Sequence, residues 1–92
     1  MNQRLNLANQ EKIIQAHEHS SNHKEELKNS AVIGCFYCCN HFKFSEIKEW
    51  IDAGDTALCP KCGIDSVIGS DSDYTISKKF LKEMNEYWFA IR

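Results

Sequence analysis

A small α+β fold built on a metal site is what three features of the sequence predict. The first is a pair of Cys-x-x-Cys motifs, Cys35-Phe36-Tyr37-Cys38 and Cys59-Pro60-Lys61-Cys62, with 20 residues between them. The second is a set of short β-leaning segments flanking each motif. The third is helical apolar spacing at both ends of the chain. Four thiolates at this spacing close a tetrahedral site around Zn²⁺, a d¹⁰ ion that favours sulfur and imposes no geometry of its own. The expected architecture is a zinc ribbon. Two knuckles, each on a short β-hairpin, are separated by an inserted helix and flanked by N- and C-terminal helices.

In chain order, residues 1–29 form an N-terminal helical arm and residues 30–92 the zinc-ribbon core with its C-terminal helix. Leu7, Ile13 and Ile14 share a face, and the arm contains neither Gly nor Pro. The cluster Ser20-Ser21-Asn22 breaks it into two helices, with Asn22 and Glu25 spaced as a capped start for the second. Ala31-Val32-Ile33-Gly34 reads as a strand entering the first knuckle and His41 to Phe44 as its return. Ser45 is then an N-cap. Ile47, Trp50 and Ile51 form a stripe at i, i+3, i+4, and Gly54 ends a helix over about 45–53. Thr56-Ala57-Leu58 enters the second knuckle and Ile64 to Ile68 leaves it, a second strand–turn–strand unit. After the polar turn Gly69 to Asp73, Ser77 caps a final helix carrying Phe80, Leu81, Met84, Tyr87, Trp88 and Ile91 at helical spacing.

Size and charge narrow the function. A chain of 92 residues buries a modest core, and such chains often rely on a metal or disulfide staple. Zinc at a site of this type contributes on the order of 10 kcal/mol of apparent folding free energy. The formal charge is −2, from 11 Lys and Arg against 13 Asp and Glu. Binding Zn²⁺ through four thiolates takes it to about −4, since two positive charges enter and four protons leave. A nucleic-acid binder carries a basic face; here only Lys78, Lys79 and Lys82 cluster, so charge does not support DNA or RNA as a partner. No apolar run reaches the length of a membrane span, and the start MNQRLNLANQ lacks the apolar core of a signal peptide. The expected location is the reducing cytoplasm, where cysteines bind metal rather than pair; five is also an odd count for a disulfide framework.

Cys35, Cys38, Cys59 and Cys62 are the expected ligands of a closed, structural site. Cys39 is the surplus thiol; it would replace Cys38 only through the less usual Cys-x-x-x-Cys turn. His17, His19 and His23 offer a second site. His19 and His23 would share a face of an unbroken helix and so grip a metal or poise a general base. Against this, no carboxylate completes a hydrolase motif, and histidines also serve as caps and packing residues. His41, close to Cys38, reads as an outer-shell hydrogen-bond donor or a strand residue. In the tail, Trp88 falls on the core stripe. Tyr87 and Phe89 lie off it, either at a homodimer seam or partner groove, or buried against the arm.

The segments Ala16-His17-Glu18-His19-Ser20-Ser21-Asn22-His23, Gly34-Cys35-Phe36-Tyr37-Cys38 and Thr56-Ala57-Leu58-Cys59-Pro60-Lys61-Cys62-Gly63-Ile64-Asp65-Ser66-Val67-Ile68-Gly69 resemble a family of small bacterial cytoplasmic zinc-ribbon-like proteins. The likeness runs from about residue 13 to 89. It implies the Cys₄ site, the ribbon fold and the cytoplasm, makes the histidine stretch part of the module, and supplies no reaction. The favoured function is a non-enzymatic protein-interaction or regulatory module held rigid by zinc. The alternatives are a nucleic-acid-binding zinc ribbon and a metal-dependent hydrolase using His17, His19 and His23.

Overall fold

Strand pairing around the first knuckle organises the molecule. The computed structural model describes residues 7–89, with side chains from residue 10 onward. The elements are α1 (Leu7–Ala16), α2 (Lys24–Lys28), β1 (Ile33–Cys35), β2 (His41–Phe42), β3 (Trp50–Ile51), β4 (Thr56–Ala57), β5 (Val67–Gly69) and α3 (Lys78–Phe89). Short 3₁₀ turns cover His17–Ser20, Phe44–Glu46 and Ser70–Ser72. The strands make an antiparallel sheet in the order β2-β1-β5 and a separate hairpin, β3-β4. Ile91 and the first six residues lie outside the described residues. No helix among the described residues is long and apolar enough to cross a membrane.

The two-residue period of a strand divides the core. Val67, Ile33 and Cys35 face one way, into a cluster with Leu27, Phe42, Ile47, Ala57 and Cys59. Ile68 faces the other, into a cluster with Ile13, Ala16, Phe36, Ile76, Phe80, Leu81 and Met84. Gly34 sits on that second face, where a Cβ would lie 2.7 Å from Leu81 Cδ1, so α3 docks on bare backbone. Phe80, Leu81 and Met84 are buried as their helical spacing predicts, each contributing about 2 kcal/mol. Ser77 caps this helix through its Oγ, which accepts the Phe80 N–H at 3.0 Å. The arm supplies Ile13 and Ala16 to one cluster and Leu27 to the other.

Several expectations need correction. No helix spans 45–53. Ile47 N–H donates to Phe44 O at 3.1 Å, closing a 3₁₀ turn, and the chain then extends into β3. Trp50 pairs with Ala57 and Ile51 with Thr56. Gly54, at φ +86, is part of the hairpin turn rather than a helix cap, following Asp52 at φ 56 and Ala53 at φ 59. The reason is local: a nine-residue helix cannot stand without packing, whereas β3 gains a partner strand and Ile47 still reaches the core. The second knuckle does not sit on its own hairpin, because β4 pairs with β3 while β5 pairs with β1.

The break in the arm falls where expected, but Asn22 does not cap α2. Its backbone is left-handed at φ 49, and His23 takes the cap position without a side-chain cap bond. Ile13 is buried, whereas its neighbour Ile14 is exposed.

Candidate metal centre

The two knuckles repeat one hydrogen-bond pattern. In the first, Cys35 N–H donates to Asn40 O at 3.0 Å, Cys39 N–H to Cys35 O at 2.7 Å, and Tyr37 N–H to Cys35 Sγ at 3.3 Å. In the second, Cys59 N–H donates to Ile64 O at 2.9 Å, Gly63 N–H to Cys59 O at 2.9 Å, and Lys61 N–H to Cys59 Sγ at 3.3 Å. A Cys-x-x-Cys turn folds so tightly that backbone donors point at the leading sulfur, where they stabilise a thiolate. The residue after each motif must then take a left-handed backbone. Gly63 does so at φ +83 and Cys39 at φ 62. Cys39 therefore occupies the glycine slot of the first knuckle. The fifth cysteine thus has a place in the turn and lies outside the ligand cluster.

The turns bring Cys35, Cys38, Cys59 and Cys62 together, with all four Sγ atoms within 4.8 Å of one another. Cys35 and Cys62 Sγ are 3.7 Å apart, as are Cys38 and Cys59 Sγ. These are free thiols, too far apart for an S–S bond. A regular tetrahedron with Zn–S bonds of 2.3 Å has S···S edges of about 3.8 Å. The site is therefore compatible with zinc, and the donor set fits it. Cys35 and Cys59 are buried, and Ser66 Oγ lies 3.1 Å from Cys35 Sγ as an outer partner for the sulfur.

Electrostatics explain why these thiols need a cation. Burial pushes the Cys35 and Cys62 thiols above the ordinary range. Burial acts the same way on Cys38 but is outweighed by hydrogen bonds from the Asn40 backbone and side chain, which leave that thiol below its ordinary value. Crowded, desolvated sulfurs do not all ionise by themselves; a divalent cation at their centre supplies the compensating charge. Burial, followed by the charge of Cys38, raises the Cys39 thiol.

The histidines have other partners. His17 packs against Trp88, with ring centroids 4.1 Å apart and the planes tilted by 38°. His19 Nδ1 meets the Glu26 carboxylate at 2.9 Å. His23 is buried, donating from Nδ1 to His19 O at 2.7 Å and accepting the Ala57 N–H on Nε2 at 3.0 Å. Among the described residues the cysteines are the only group of three or more His, Cys, Asp or Glu brought within reach of one ion. The carboxylate beside His19 comes from Glu26, seven residues along the chain; helical spacing alone had not paired them. His41 Nε2 lies 2.6 Å from Ile76 O, a link between the sheet and the start of α3. Tyr87 is exposed, and Phe89 packs edge-on against Tyr37 with centroids 4.9 Å apart.

His23 also caps a sheet edge. Its own N–H donates to Asp55 O at 2.7 Å, and Asn22 N–H donates to Thr56 Oγ1 at 2.8 Å. Residues 22 and 23 thus cover the side of β4 that faces away from β3, where unpaired backbone groups would otherwise remain.

Comparison with protein-family models, with curated proteins and with solved structures gives no significant match to this chain.

Proposed function

We propose that the chain is a structural-zinc protein, in which Cys35, Cys38, Cys59 and Cys62 hold one Zn²⁺ as the staple of the fold. The observation that carries this reading is the pair of 3.7 Å S···S edges, close to those of a tetrathiolate zinc tetrahedron. With four sulfurs bound, the ion keeps no position for water or substrate, so its role is to fix the two knuckles. The sheet and hairpin are joined there: Cys35 and Cys38 belong to the first knuckle, and Cys59 and Cys62 follow β4.

On this reading the protein is a non-enzymatic interaction or regulatory module working in a reducing compartment, where free thiolates persist. The resemblance to small bacterial zinc-ribbon-like proteins agrees with it. The ribbon presents a rigid surface to a protein partner or a second copy, with exposed Tyr37 and Tyr87 the large aromatic residues available for contact. Native mass spectrometry of protein purified without added metal tests the assignment. One zinc per chain is expected, lost in a Cys59→Ser variant. Two ions per chain, or one ion retained in that variant, would overturn it.

A further inference from the structure

Two carbonyls of the first knuckle are held by side chains of the last helix. A Cys-x-x-Cys turn points N–H groups inward at sulfur, as Tyr37 does toward Cys35 Sγ at 3.3 Å, and leaves carbonyls facing out. Asn85 Nδ2 donates to Tyr37 O at 2.8 Å, and Lys78 Nζ donates to Cys39 O at 2.8 Å. These donors stand seven residues apart, two turns along one face of α3. Leu81 lies between them on that face and packs on Gly34, the residue before Cys35. Phe89, four residues beyond Asn85, meets the Tyr37 ring. One stripe of α3 thus follows the first knuckle along its length.

This knuckle needs support more than its twin does. Its last position is Cys39 at φ 62, a left-handed backbone that a residue with a Cβ adopts only under strain. Gly63, at φ +83, fills the same place in the second knuckle without strain. Lys78 fixes the strained residue by its own carbonyl. Charge acts in the same direction. Four thiolates outweigh the charge of Zn²⁺, so the filled centre is anionic, and the Lys78 ammonium stands beside the residue that follows ligand Cys38. We propose that Asn85 and Lys78 are positioning residues of the metal centre: by holding the Tyr37 and Cys39 carbonyls they set the first knuckle for its ion, so docking of α3 raises zinc affinity. The proposal rests on the zinc assignment above. Linkage makes the effect reciprocal: zinc also holds α3 on the sheet, and a partner that drew α3 away would loosen the ion.

The test is metal titration of the full chain, with Zn²⁺ against a competing chelator and with Co²⁺, whose absorption bands follow the geometry of its four sulfurs. Asn85→Ala should weaken binding of both metals about five-fold. Lys78→Met should weaken it by roughly two- to five-fold, less so at about 1 M salt, and Lys78→Arg should keep wild-type affinity. Both weakening variants should also displace the cobalt bands, which a loss of fold stability alone does not do. Lys79→Met is the control: Lys79 lies on the same helix but pairs with Glu83 at 3.7 Å, and its loss should change neither readout. Wild-type affinity in Asn85→Ala and Lys78→Met, or weaker binding with unmoved cobalt bands, would overturn the proposal. A wild-type chain that binds neither metal would instead overturn the zinc assignment on which it rests.

Discussion

Replacing His23 by alanine should destabilise the protein severely while leaving its metal content unchanged. The ring is 3% exposed and links three segments: its own helix cap, the His19 carbonyl and the edge of β4. Because Nδ1 faces a carbonyl oxygen and Nε2 faces the Ala57 N–H, the ring must be neutral with its proton on Nδ1. Truncation leaves the buried Ala57 N–H without an acceptor, at about 1–3 kcal/mol, and removes the bond to His19 O, at about 1 kcal/mol. Adding the emptied ring site brings the loss to about 3–5 kcal/mol. For a domain of this size that is a fall in Tm of more than about 10 °C, read by circular dichroism with zinc present. His23→Gln, which can still accept from Ala57, should lose less.

The same ring predicts a pH dependence. Burial lowers its pKa from 6.5, against the opposing pulls of the His19 carbonyl, Glu26 and Asp55. The unfolded chain then binds the proton more readily than the folded one. The neutral ring's contribution is full above about pH 6.5 and is lost as pH falls below that value, through the lower folded-state pKa. The stability gap between wild type and His23→Ala should shrink over that range. If the variant melts within about 1 °C of wild type, or loses a metal ion, the bridge assigned to His23 is wrong.

Two further substitutions test the turns. Cys39→Gly should leave zinc stoichiometry unchanged, since Cys39 fills a glycine slot at φ 62 and lies outside the ligand cluster; lost metal by mass spectrometry would make it a ligand. Ala53→Gly should raise stability by about 0.5–1 kcal/mol in urea melts, because Ala53 is exposed at φ 59 and gives up only left-handed strain. A destabilised variant would mean that the turn is not as described.

What could be read from the sequence was what depends on local chemistry. Cys-x-x-Cys turns are closed by their own backbone, so both turns form, although only the first sits on its own hairpin. The final helix was equally readable, since its cap and apolar stripe lie within one continuous segment. Residues 45–53 were misread because i, i+3, i+4 spacing over so few residues also suits a 3₁₀ turn followed by a strand. The choice was made by pairing with β4, a contact the local pattern does not contain. The bridge made by His23 was out of reach for a related reason: its partner Ala57 is 34 residues away. The glycine slot at Cys39 was available all along, by laying Cys35-Phe36-Tyr37-Cys38-Cys39 over Cys59-Pro60-Lys61-Cys62-Gly63.

The most direct test of the central claim is zinc titration into the metal-free chain, followed by amide NMR. Poorly dispersed spectra are expected for residues 33–69 without metal, and a folded spectrum that is complete at one equivalent. A dispersed, unchanged spectrum in the absence of zinc would contradict it.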